Sequence, residues 1–414
     1  MKVIYRNISM DLSNNGTTLA AWSNTLDSTY YVLIDSYYQN NWYYSTIENA
    51  ENPAVAVNRT SGNGVISYTD KTSNKIKVVF VQNGALMLSE AVAVSEVFSD
   101  YSSVAMNNNG DVVVVWGRET TDDTYFLEGK IYSHGSWSET ITLSFSTSYS
   151  AVNFDPEVKI DDNGNILVIW EAMKSGTDIW HIYKSEFRNS TWSIPTINDN
   201  ISPDGGGDVY HKKMVRNKHG TTYIVWSQEY ENDRSRHIYI SSYVNGVWKK
   251  PLNNDDHIST SLKGEEPSVT INDNNDAIVI WYQYILGKGY EIYEMKIKNS
   301  VISPPTGMGI ITRHLGWDVP NIEMNNNGNA IMVWYGVYSN DSTVDLETTQ
   351  LYKSEYFHGK WYHPTNRLTE NISFVASWDP FPPSVGIDDN DNARIYWSQQ
   401  NSNSLHKVYR CTLE

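Results

Sequence analysis

Three aromatic–acid pairs recur along this chain: Phe154-Asp155, Trp317-Asp318 and Trp378-Asp379, each within two residues of a proline. An aromatic face can cover the C–H face of a sugar, while the neighbouring carboxylate accepts hydrogen bonds from hydroxyls and fixes its orientation. Related acids at comparable places are Glu51, Asp100, Asp208, Glu265 and Glu266. A ring of such groups could also bind a cation or a basic partner. The competing interpretation is structural: an acid that recurs in every repeat is placed to cap a turn, whereas a catalytic residue occurs once.

A second set of candidates varies from copy to copy: Asn24, Asp70, Arg118 with Glu119, Glu171, Gln228 with Glu229, Tyr282 with Gln283, and Gln399. Variation at one loop position suits a site grafted on a scaffold, and equally suits unconstrained solvent positions. Glycoside cleavage needs two carboxyl groups about 5–10 Å apart. Asp155, Glu171, Glu229, Asp318 and Asp379 could supply them. The ligand-binding candidates are therefore Phe154, Asp155, Asp208, Trp317, Asp318, Trp378, Asp379, Arg118 and Glu171.

No metal or cofactor is expected. Asp161-Asp162-Asn163-Gly164-Asn165 is like the start of a calcium loop, but no distal Glu follows at the required spacing, and Asn325 to Asn329 holds no acid at all. A hairpin turn explains both. The 10 His residues show no His-x-x-x-His spacing, and the single cysteine, Cys411, excludes a multi-Cys zinc site or an internal disulfide framework.

Whatever positions these residues must be built from a chain of 414 residues with 15 Trp, 29 Tyr and 9 Phe, enough apolar surface for a large core. A net charge of −17 disfavours nucleic acid, because phosphates repel such a surface. No run approaches the ~18–20 apolar residues of a spanning helix, so membrane insertion is not expected. Met1 to Asn7 lacks the apolar core of a signal peptide. The Asn-, Ser-, Thr- and Tyr-rich texture nevertheless suits a secreted or cell-envelope protein, with a cytoplasmic one as the alternative.

Eight segments share one pattern and start near 8, 53, 102, 156, 212, 267, 320 and 383; the clearest read PEVKIDDNGNILVIW and PSVTINDNNDAIVIW. Each is a β-hairpin by its chemistry. The first arm alternates apolar and polar residues, as at Val158 and Ile160. The turn holds Asn, Asp and Gly, which tolerate the positive φ of tight turns. The second arm, as in Val112 to Trp116, is apolar at both parities, which fits a strand buried on both faces. A Tyr/Ile-rich strand and a short strand with its own Trp (Trp137, Trp192, Trp248, Trp361) follow in most copies. Four antiparallel strands per unit of about 45–60 residues make a propeller blade. The expectation is one all-β propeller over 1–414, with eight blades; seven is the alternative, with Pro53 to Tyr68 outside the ring. The last unit has room for only three strands.

The repeat resembles a widespread group of bacterial β-propeller proteins with a Pro-x-Val-x-x-Asp-x-x-Gly-Asn core ending in Trp. More distantly it is similar to the sialidase superfamily. The turn between third and fourth strands keeps the Gly and Trp of the Asp-box there (Gly135 and Trp137, Gly246 and Trp248, Gly359 and Trp361) but not its Ser-x-Asp. That resemblance implies the fold and little about activity. A sialidase would also need an arginine triad, and only Arg118, Arg234, Arg236 and Arg313 fall in loops of the channel face. The leading expectation is a monomeric, non-enzymatic binder of glycan or protein through those loops. The alternatives are a glycan-cleaving enzyme on the same scaffold and a structural module. Sites repeated between blades would mark a binder; one asymmetric cluster at the channel mouth would mark an enzyme.

Overall fold

The computed structural model describes residues 6–88, 91–95, 99–120, 124–148, 152–174, 176–230, 235–260, 263–299, 301–312, 319–337, 349–365, 370–373, 382–400 and 406–413. The chain forms eight antiparallel sheets arranged in a ring, a β-propeller. Blade 1 pairs Arg6–Leu12, Thr18–Leu26, Thr29–Tyr38 and Asn41–Glu48 in sequence order. Blade 2 starts at Ala50–Val57, blade 3 at Ser99–Met106, blade 4 at Val152–Ile160, blade 5 at Val209–Arg216, blade 6 at Gly264–Ile271 and blade 7 at Asn321–Met324. Blade 8 has the three strands Ser384–Ile387, Ala393–Gln400 and His406–Leu413, as the short last repeat requires.

The repeated aromatic at the end of the second arm packs each blade on its predecessor. Trp116 lies among Val65, Ile76 and Val78 of blade 2, and Trp170 among Ala105, Val113 and Val115 of blade 3. Trp226, Trp281 and Trp334 meet the second strands of blades 4, 5 and 6 in the same way. Trp22 meets Tyr396, which closes the ring between blades 8 and 1. Among the described residues no strand is shared at that seam. It is held by this packing, by Ser384 Oγ donating to Ile8 O at 2.8 Å, and by Arg410, which pairs with Asp35 and covers the Trp42 ring.

The Asn-rich turns do more than reverse the chain. In blade 3, Asn107 Oδ1 accepts the backbone N–H groups of Asn109 and Asp111, at 3.0 and 2.9 Å. Its Nδ2 donates to Asp161 O of blade 4 at 3.1 Å. Asn58, Asn217 and Asn325 repeat the inter-blade bond to Asn107 O, Asn272 O and Asp388 O. Asp162 N to Lys218 O, Asp273 N to Asn326 Oδ1, Asp389 N to Asn14 O and Asn14 N to Arg59 O supply the remaining four junctions. The turns thus form a closed belt of hydrogen bonds around one end of the channel. Asn107 is 3% exposed, so Asn107→Ala strands buried groups on two blades. A loss of about 1–3 kcal/mol is expected in denaturant unfolding, against almost none for exposed Asn198→Ala.

The innermost strands present a free edge to the channel, and in blades 2, 4 and 5 side chains of the preceding blade satisfy part of it. Val55 N and Val57 N donate to Ser9 Oγ and Asp11 Oδ2 of blade 1, Val158 N to Ser103 Oγ, and Met214 N to Glu157 Oε2. This covers the edge amides that would otherwise stay unpaired. The innermost strands also begin earlier than the repeat pattern implies. Each of six carries a β-bulge, between Glu51 and Ala54, Asp100 and Ser102, Asn153 and Glu157, Tyr210 and Lys213, Glu265 and Ser268, and Arg6 and Ser9. Asn52, Tyr101, His211 and Glu266 stand in these bulges with φ of 52°, 51°, 52° and 55°. A bulge re-aims side chains, and here it does so where the strand enters the channel mouth.

Candidate functional site

The bulge of blade 5 carries His211-Lys212. Lys212 occupies the place held by Pro53, Pro156, Pro267, Pro320 and Pro383 in five other repeats. Its side chain is 2% exposed and turns back to blade 4, where Nζ lies 3.5 Å from Glu171 Oε1 and 3.7 Å from Asp155 Oδ2. Burial alone would push this ammonium down. The carboxylates of Asp155, Glu171 and Glu157 outweigh it and hold Lys212 protonated, above the usual lysine range. Glu171 is 10% exposed and anchors the lysine; Asp155 is 79% exposed and reaches solvent.

His211 points the other way. Its Nε2 lies 3.7 Å from Glu266 Oε1 of blade 6, with the imidazole 30% and the carboxylate 1% exposed. The dipeptide therefore ties three blades together through two pairs. In each, a solvent-facing group, Asp155 or His211, is oriented by a buried group of opposite character.

A second layer surrounds this core. Tyr210 donates to Glu229 Oε1 at 3.1 Å and lies under the Arg236 guanidinium at 4.0 Å. Arg236 and Lys263 approach Glu265 Oε1 at 3.4 and 2.8 Å, and Tyr290 donates to Glu265 Oε2 at 2.8 Å. Burial first, and then the bond to Glu265, push the Tyr290 phenol well above its usual range, so it stays a donor. The assembly belongs to blades 4 to 6 and, among the described residues, is not repeated around the ring.

The sequence-derived candidates divide. Asp155 and Glu171 are brought together through Lys212. Asp208 accepts Trp180 N at 2.9 Å, a structural role at the same mouth. Arg118 pairs with Glu128 at 2.6 Å in blade 3 and stacks on Phe126, away from the cluster. Trp317, Asp318, Trp378 and Asp379, and the Phe154 ring, lie outside the described residues, as do Arg234 and Arg313. Gln228, Gln283 and Gln399 accept the indole N–H of Trp226, Trp281 and Trp397, so these three positions serve packing. The sequence reasoning missed His211 and Lys212. The available signal was a charged residue where the other repeats place proline.

No protein-family model and no curated protein matches the chain. Among solved structures, it is similar to an ulvan lyase (TM-score 0.49, 11% identity, 87% of this chain and 93% of that one). It is also similar to a polysaccharide lyase (0.46, 9%, 80% and 86%) and to an α-L-arabinofuranosidase of Fusarium graminearum (0.43, 11%, 76% and 93%). These neighbours are named as glycan-active enzymes. Among the described residues the charged assembly at the mouth is single and asymmetric, which runs against the non-enzymatic binder expected from the sequence. That expectation assumed recognition groups repeated from blade to blade; it is withdrawn, and the glycan-cleaving alternative takes its place.

Proposed function

We propose that the chain is a glycan-cleaving enzyme whose glycosidic bond is broken at the channel mouth over blades 4 to 6. The observation that carries this reading is the bulged His211-Lys212 dipeptide. It holds an exposed carboxylate and a partly exposed imidazole at one mouth, each fixed by a buried partner. Bond cleavage in a glycan needs a proton removed on one side and a proton delivered to the leaving sugar oxygen on the other. Asp155 serves as the acceptor and His211 as the donor, with Lys212 and Glu266 as positioning residues.

The test is release of reducing ends from a panel of plant, algal and microbial polysaccharides by the full chain, beside the double variant Asp155→Asn, His211→Gln. Release by the wild type, lost in the double variant at unchanged melting temperature, is the expected result. Equal release by both proteins removes these residues from the reaction. Retention of a glycan without any cleavage returns the site to a binder.

A further inference from the structure

The innermost strand of blade 5 is enclosed by blades 4 and 6 and by its own second strand, so an exposed side chain on it must enter the channel. Lys213, the residue after Lys212, is such a side chain. The other basic groups near the mouth are spoken for: Lys71 by Glu51, Arg118 by Glu128, Lys212 by Asp155 and Glu171, Arg236 and Lys263 by Glu265. Lys213 has no ion pair among the described residues. Lys159, exposed on the innermost strand of blade 4, lies by contrast in a cavity of about 350 Å³ with the Glu157 and Glu323 carboxylates, and Glu323 feels its charge.

A protein carrying −17 does not leave an ammonium unpaired for want of carboxylates. We infer that Lys213 is a specificity residue that binds an anionic substituent of the glycan, a carboxylate or a sulfate ester, one sugar unit inside the mouth from Asp155 and His211. This inference deepens the proposed site but concerns binding, so it can be tested whether or not the bond is cut. The negative charge of the whole chain does not oppose it. Charges beyond a Debye length, about 8 Å at physiological salt, are screened, and the group in direct reach decides.

The test is affinity electrophoresis of the full chain in gels holding a neutral glucan, a polyuronate or a sulfated galactan, for wild type, Lys213→Gln and Lys213→Arg. The expected result is retardation by at least one of the two anionic polymers and none by the glucan. Lys213→Gln should weaken it about tenfold or more and Lys213→Arg should restore most of it. Which polymer retards the protein distinguishes carboxylate from sulfate. Stronger retardation by the glucan, retardation unchanged in Lys213→Gln, or no retardation by either anionic polymer overturns the inference. Absence of cleavage with retardation intact would defeat the enzymatic reading and leave this one standing.

Discussion

Replacing His211 by Gln should lower kcat/KM on a cleaved glycan by about 10²–10⁴-fold, the usual contribution of a positioned proton-transfer group. The glutamine fills much the same space beside Glu266 but cannot carry a proton to the leaving oxygen. Its melting temperature should therefore stay close to that of the wild type. Glu266→Gln should behave differently. The imidazole keeps its place in the bulge but loses the carboxylate that orients it at 3.7 Å. Activity should fall less than in His211→Gln, and the loss should fall on kcat rather than KM. A purely structural role for the pair predicts the reverse order: large loss of melting temperature in both variants, with kcat and KM falling or rising together.

The second large effect concerns the ring. Trp281→Ala should cost about 3–5 kcal/mol, and Trp226→Ala as much. Both indoles are fully buried, and each touches the strands of the preceding blade as well as its own. Each indole N–H is also satisfied by a glutamine two residues on, at 3.1 and 3.2 Å, so truncation leaves Gln283 or Gln228 with a lost partner in a dry interface. Equilibrium unfolding in urea, read by residual tryptophan fluorescence and by far-ultraviolet dichroism, measures the loss. A cost below about 1 kcal/mol for either would mean that blade-to-blade packing does not hold the ring.

These residues were legible in the chain because period and chemistry coincide. A strand buried on both faces must be apolar at both parities, so Val112 to Trp116 or Ala277 to Trp281 stands out without any structure. The Asn-rich turns were legible as turns, but their physics was read only in part. Positive φ belongs mainly to the Gly late in each turn, such as Gly110, Gly164 and Gly328. The Asn that opens the turn is conformationally ordinary there and serves as a two-sided hydrogen-bonding group. Its partner lies some 50 residues on, out of reach of any local pattern.

The bulges were hidden for a related reason. Asn52, Tyr101, His211 and Glu266 share one backbone conformation and no side-chain chemistry, so no residue type announces them. Asp155 and Glu171 could be named as carboxylates with a free hand for chemistry. The cation between them comes from the next repeat, and only the ring geometry brings it there.

Closure by packing rather than by a shared strand has a consequence for how the molecule comes apart. Each blade is bound to two neighbours by equivalent interfaces, so the protein behaves as a nearest-neighbour chain with its ends joined. Loss of any one interface is then topologically the same event, whether at the 8–1 seam or elsewhere. It converts a loop without ends into a line with two, from which blades can fray in turn. The seam, resting on Trp22, Tyr396 and Arg410, is the junction that has no covalent linker across it. Under a pulling force or in mild denaturant the first rupture should therefore select that junction, and blades 1 and 8 should exchange their amide protons before blades 4 to 6.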